Sequence, residues 1–441
     1  MSCRGSLEYT CPSHGGWGMV RIGMMIPECH QLFVCPSACG RHGALGAVQQ
    51  GFKDRLSYLY LEQSDIISGY DNAMIEAVGE VLSRLKKRPK VILVFVSCID
   101  DLIGTDGDAV IAELSERYPD IQFRMGHMNP ISTDSDEPPL VTTWKSVYSL
   151  MEWNGEKRTP AINMLGNYVP VDKNSEIYAL MKLLGVEVHH IGAYSTYEEL
   201  KNMGNHYFNL LLSSKVEKVG QLLERTQKIK YLNGHITCDF KEIRENYGKL
   251  MEMLVSVAED NGNTDLMTQI REKGTKIEAI FEKAEAEAKE AIEKAKETIG
   301  NRPVYIDYSA FGKPLEAGKF LYEQGLPVKR IYVKDMDEDN AAYQWLLKET
   351  DVEIIKANHH GTVNTWKAKK AALEQENQDD KSIAIGMEAA YISGSSHIVA
   401  MFQNEGMYGF CGVTLLMERL CEAAQKEADM EEVIRQAGLV V

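Results

Sequence analysis

The chain has 441 residues, 44% of them hydrophobic and 25% charged, and its 48 basic and 64 acidic side chains leave a formal net charge of −16. That length exceeds a single hydrophobic core and points to about three domains, while the acidic balance excludes non-specific nucleic-acid binding. No apolar run approaches the roughly 18 uncharged residues of a spanning helix and no signal core follows a basic N-terminus, so no membrane partner and a cytoplasmic location are expected.

Six of the nine cysteines, Cys3, Cys11, Cys29, Cys35, Cys39 and Cys98, fall in the first quarter. An odd, uneven set fits reduced thiols and metal ligation better than a disulfide framework. Residues 1 to 49 are rich in Gly, Cys and Met with little periodicity, and read as mostly irregular. A strand is predicted over Leu56 to Tyr60 and an amphipathic helix over Asp71 to Leu85, where Ala73, Ile75, Val78 and Leu82 recur at three- and four-residue intervals. Val91 to Ser97 is a nearly continuous β-branched and aromatic run, the pattern of a strand buried on both faces. Cys98 follows at its carboxyl end, where open α/β sheets place their sites. A helix from Gly107, a strand over Ile121 to Arg124 and a helix over Thr142 to Trp153 complete a first domain, 1–158.

From Ala161 strands and helices alternate again: strands over Ala161 to Leu165, Val186 to Ile191 and Tyr207 to Leu212, with helices over Asn174 to Leu184, Tyr197 to Met203, Lys215 to Arg225 and Phe240 to Val257. Asp260 to Ile299 is dominated by Glu, Lys and Ala with opposite charges three and four residues apart, which predicts a long, solvated, charged helix bridging two domains or serving as a partner-contact arm. This second domain is drawn as 159–300. The third, 301–441, alternates strands at Val304 to Asp307, Arg330 to Val333, Val352 to Lys356, Ser382 to Gly386 and Ile398 to Phe402 with helices, among them Thr365 to Glu374, and closes on a helix over Gly412 to Lys426. The fold class is therefore α/β: three doubly wound, Rossmann-like domains with mostly parallel sheets, preceded by an irregular Cys-rich segment.

Iron–sulfur clusters need thiolates converging from separate loops, with glycines that let backbone approach inorganic sulfide. T-C-P-S-H-G-G-W-G at Cys11, V-C-P-S-A-C-G-R-H-G at Cys35 and Cys39, and V-F-V-S-C-I-D-D-L-I-G-T-D at Cys98 supply such loops. The order of these motifs, continued by V-Y-I-D-Y and by M-Y-G-F-C-G-V-T-L-L near the end, resembles the nitrogenase component 1 superfamily over most of the chain. The resemblance matches Cys11, Cys39 and Cys98 to three cysteines that hold a cluster between two subunits. Four ligands are usual, so the fourth comes from a partner subunit or from Cys35. Cys29 is a weaker candidate, and Cys3, Cys238, Cys411 and Cys421 read as structural thiols.

By the same resemblance the cofactor is an iron–sulfur cluster, four-iron or larger in the manner of a P-cluster, with a second metallocofactor or a tetrapyrrole as a further group. His359 and His360 follow a predicted strand end, and His397 precedes an apolar strand; these are the candidates for binding that second group. His127, His189 and His190 also stand at strand ends. The stretches F-N-L-L-L-S-S-K and H-I-V-A-M-F-Q-N lack the cysteine and the well-placed histidine that hold the molybdenum cofactor in nitrogenase, so the resemblance is not to molybdenum nitrogenase itself. No G-x-x-x-x-G-K-[ST] loop occurs. The expected function is the catalytic, oxidoreductase component of a nitrogenase-like reductase. Its expected partners are a separate ATP-binding iron–sulfur reductase and a second identical or homologous subunit. The alternative is a non-catalytic scaffold for metallocluster assembly.

Overall fold

The computed structural model describes residues 18–37, 39, 40, 44, 47, 48, 51–128, 136–358, 381–429 and 431–433. Cys3, Cys11, His359, His360 and the predicted Thr365 to Glu374 helix lie outside them.

Three parallel sheets carry an α/β fold. The first, ordered β2-β1-β3-β4, consists of β1 (Cys29–Cys35), β2 (Leu56–Tyr60), β3 (Val91–Ser97) and β4 (Gln122–Met128). The second, β6-β5-β7-β8, is built from β5 (Thr159–Leu165), β6 (Glu187–His189), β7 (His206–Leu211) and β8 (Lys230–Asn233). The third, β11-β10-β9-β12-β13, takes β9 (Val304–Asp307), β10 (Val328–Val333), β11 (Glu353–Lys356), β12 (Ile383–Ile385) and β13 (His397–Val399). All paired strands run parallel. In each sheet the chain starts inside and winds outward both ways, which leaves a switch point at the carboxyl ends of β1/β3, β5/β7 and β9/β12.

Contacts divide the chain into two compact units. One runs to Pro170 and resumes over 186–234, holding the first two sheets; the other gathers 171–185 and the chain from 235 onward, with the third sheet. In the first, every residue of β3 is buried, as its apolar run dictates. Helices Asp71–Arg84 and Gly107–Arg117 cover one face with Met74, Ile75, Val78, Val110 and Leu114. Each such side chain contributes about 1.5–3 kcal/mol.

Part of the Cys-rich segment read as irregular is regular. Gly18–Met24 is helical, and Cys29–Cys35 is a fully buried strand wedged between β2 and β3. Its polar residues broke the apolar pattern, yet His30 is satisfied inside by Ser57 Oγ at 2.9 Å, and Phe33 stacks on Phe95 of β3 at 5.0 Å.

The charged stretch also differs from its expectation. It forms two helices, Thr264–Glu272 and Gly274–Ile299, and the longer one is not solvated all round. Ile277, Phe281, Ala284, Ala288, Ile292, Ala295 and Ile299 make a buried seam. That seam packs on the helix Gly409–Gln425. Alanines at three- and four-residue spacing let two helices approach closely, so the charges occupy only the outer face.

Candidate metal centre

The first sheet's switch point lies between β1 and β3, and sulfur stands at both strand ends. Cys35 is the last residue of β1, and Cys98, directly after β3, opens the helix Cys98–Ile103. The register pairs Val34 with Val96, which sets Cys35 beside Ser97 and Cys98. Cys39 is carried one turn past β1, its N–H donating to the Pro36 carbonyl at 3.0 Å.

Burial pushes the Cys35 thiol up to about 12, with Cys39 adding to the rise. Cys39 is itself raised by burial and then by Cys98. Burial thus favours the protonated form of Cys35 and Cys39, and a polycationic metal centre would convert them to thiolates. Gly40 lets the loop close: a Cβ there would stand 3.2 Å from Cys35 Sγ and 2.9 and 3.0 Å from two ring carbons of Tyr58. The hydroxyls of Tyr58 and Ser97 are buried and find no hydrogen-bond partner among the described residues. Soft donors from two strand ends, a glycine that admits close approach and two unsatisfied hydroxyls suit an iron–sulfur cluster.

Of the expected ligands, Cys35, Cys39 and Cys98 are thus brought together. Cys29 begins β1 at its other end, where its buried thiol is pushed up to about 12. Cys238 and Cys421 are buried. Cys411 is pushed up to about 12 by burial and by Glu176. His397 opens β13 and donates from Nδ1 to the Ala423 carbonyl at 2.7 Å. His190 is buried, with Nε2 3.1 Å from the Asn167 carbonyl oxygen.

Sequence reasoning missed two groups. Asp100, Asp101 and His127 offer donor atoms within 4.8 Å of one another beyond the ends of β3 and β4. Tyr70 donates to Asp100 at 3.2 Å, and burial raises the Asp100 pKa. The signal was available in D-D after Cys98 and in His127 on the neighbouring strand. The other group is the buried Glu176. It accepts from the N–H groups of Phe410 and Cys411 at 2.6 and 3.1 Å and from the Tyr247 hydroxyl at 2.8 Å. Gly409 there has φ +60, and a Cβ would fall 2.0 Å from Glu176 Oε1. The G-F-C-G turn is therefore fixed by a carboxylate from a distant segment.

Four of the eight exposed large hydrophobics among the described residues stand at or just beyond the carboxyl ends of two strands of the first sheet: Tyr60 ends β2 and Ile67 follows it, and Leu102 and Ile103 follow β3. Among the described residues no helix is long and apolar enough to cross a membrane.

Comparison with known proteins agrees with this architecture. The nitrogenase iron-molybdenum cofactor biosynthesis protein NifE of Clostridium pasteurianum is 24% identical over 219 residues, 47% of this chain and 46% of that protein, so the match spans about half the length of the curated relative. The structures of nitrogenase Cp1 at pH 6.5 and at pH 5 superpose with TM-scores of 0.62 and 0.61 at 15% and 17% identity. They cover 96% of this chain and 94% and 90% of their own, a likeness of fold. The family model for nitrogenase component 1 type oxidoreductases matches residues 14–425, from before the first sheet to the end of the last long helix, and the chain belongs to that family.

Proposed function

We propose that the chain is the cluster-bearing catalytic component of a nitrogenase-like reductase. The observation that carries this reading is the placement of Cys35 at the end of β1, Cys39 one turn further on and Cys98 directly after β3, at the switch point of the first sheet. Cys11 is the proposed fourth member, by its matched position. A cluster held by these thiolates would supply one-electron transfer at low potential. The chain's own part is to hold the sulfurs in register, to let backbone close at Gly40 and to wall the site with the Tyr58 and Phe33 rings.

The exposed apolar residues at the ends of β2 and β3 support a site covered by another protein, since such side chains at one end of a sheet favour a partner. The proposed partners are a second identical or homologous subunit and a separate ATP-dependent iron–sulfur reductase, because no phosphate-cradling Walker loop occurs here. His359, His360 and His397 are the proposed residues for a second cofactor, His397 through Nε2. A cytoplasmic location and three domains, 1–158, 159–300 and 301–441, each with one sheet, belong to the same proposal.

Anaerobic purification with iron and sulfide counted per chain tests the reading. Cys98→Ala should strip most of the iron, and a variant with full iron would remove the central claim. The second reading, a scaffold on which a metallocluster is built, is favoured by the likeness to a cofactor biosynthesis protein. Cluster transfer to an apo-protein without turnover would select it; ATP-dependent reduction with an added reductase would select the first.

A further inference from the structure

At the amino-terminal edge of the first sheet, the end opposite the clustered thiols, the charge of the chain reverses. The turns before β1, β2 and β3, together with Tyr194 and Ser195, enclose an open pocket of about 700 Å³. Its cationic lining is Arg55, Arg84, Lys86, Lys87 and Arg88, against the two carboxylates Glu28 and Asp54, in a protein of net charge −16. Concentrating like charge costs free energy unless a ligand of opposite sign takes it up.

Arg55 is the fixed part. Its guanidinium is partly buried and donates to the carbonyls of Cys29 and Ile26 at 3.0 and 2.5 Å, 5.1 Å from the Phe52 ring centroid. These contacts orient the fork without cancelling its charge, and among the described residues no carboxylate pairs with it. Two of its neighbours in the wall, His30 and Cys29, add no negative charge. Burial pulls His30 down to about 4 and pushes the Cys29 thiol up to about 12, so both are neutral. A guanidinium withdrawn from water without a counter-charge is destabilising, and an anion removes that penalty.

The other cations are adjustable. Arg88 pairs with Asp120 at 2.6 Å and Arg84 with Glu80 at exposed positions where such pairs are weak, while the exposed Lys87 pairs at 2.9 Å with the half-buried Glu28, which also accepts from the Tyr197 N–H. Lys86 makes no ion pair among the described residues and stands exposed beside them. The volume lies in the range of small-molecule sites and far exceeds one orthophosphate. A concave wall of short turns suits a compact multivalent anion better than an extended acidic peptide.

We infer that this pocket binds an oligophosphate, with Arg55 gripping one phosphate in its fork and Lys86 and Lys87 closing on the next. The shared chemistry is that of inorganic pyrophosphate and of the phosphate tail of a nucleoside di- or triphosphate. Binding involves no bond cleavage, and a nucleotide held here is a ligand of this chain.

The test is calorimetric titration of the full chain with orthophosphate, pyrophosphate, ADP and ATP, at low and at physiological salt. Pyrophosphate and the nucleotides should bind about tenfold or more tightly than orthophosphate, and more weakly as salt rises. Arg55→Gln and the double variant Lys86→Glu/Lys87→Glu should each weaken binding about tenfold or more. The lysine variant lies on an exposed turn and so reports even where Arg55→Gln disturbs the fold. Equal affinity for pyrophosphate and ATP would identify the phosphates alone as the recognised group; tighter ATP would add a contact to the nucleoside. Absence of binding at millimolar ligand, affinity unchanged by Lys86→Glu/Lys87→Glu, or uptake of a polyglutamate peptide with no oligophosphate binding would overturn the inference.

Discussion

Gly40→Ala puts the packing of the thiol site to a direct trial. The new Cβ would stand 2.9 and 3.0 Å from Tyr58 ring carbons and 3.2 Å from Cys35 Sγ. Carbon contacts settle near roughly 3.5–4 Å, so the ring and the sulfur must yield by about half an ångström. Tyr58 has little room, with ring centroids of Phe33 and Tyr60 at 5.6 and 5.5 Å. Overpacking of this kind costs about 1–3 kcal/mol, and the displacement falls on a proposed ligand. Gly248→Ala is the control: Gly248 lies within the helix Phe240–Asp260, and a Cβ there meets nothing within 4 Å. It should gain about 0.5–1 kcal/mol from helix propensity. The assay is iron and acid-labile sulfide per chain after anaerobic purification, with urea unfolding of the metal-free protein alongside. Gly40→Ala should lose stability and most of its iron while Gly248→Ala keeps its iron. Parental stability in Gly40→Ala would refute the packing argument, and lost stability with full iron would refute the placement of Cys35 and Cys39 at the metal.

Gly409→Ala should destabilise the chain by about 4 kcal/mol, from left-handed backbone strain and displaced charge-assisted hydrogen bonds to Glu176, read as a drop in urea stability. Ala288→Leu should cost about 1–3 kcal/mol by forcing apart the seam between Gly274–Ile299 and Gly409–Gln425, with unaltered stability as the contrary result in thermal unfolding. Burial depresses the folded-state pKa of His30 and His190 to about 4 and of His206 to about 3. The unfolded chain then binds more protons below about pH 6.5, so this contribution is complete above that pH and is lost as pH falls toward 4. Each such histidine removes roughly 2 kcal/mol at pH 5, and equal urea midpoints at pH 7 and pH 5 would contradict their neutral burial.

Where apolar pattern and structure share one cause, the fold was legible. β3 reads as a buried strand because both its faces are covered, and Cys98 follows at its end for the same reason. β1 was not legible, since H-Q between two cysteines mimics a loop and the bond from His30 to Ser57 is made only after β2 is in place. Cys35 and Tyr58 enter the site through strand register, which no local pattern encodes. Asp100 and His127 likewise meet only across neighbouring strands. Glu176 and Phe410 lie 234 residues apart, beyond the reach of any periodicity.

That separation has a meaning in time. Segment 171–185 belongs to the same compact unit as the chain from 235 onward, yet it is made in the middle of the other unit. At about 5–20 residues per second, a ribosome needs roughly 10–50 s to pass from Glu176 to Phe410. Through that interval the side chains of Ile177, Leu180, Met181 and Leu184, all buried in the finished protein, wait for the second of the two long helices that cover this segment. The first unit can close by residue 234 while it carries this unfinished loop. A chain released before Gly409 would lack one of the two covering helices and leave Glu176 without the Phe410 and Cys411 N–H groups, so premature termination there should yield aggregates rather than a stable shorter protein.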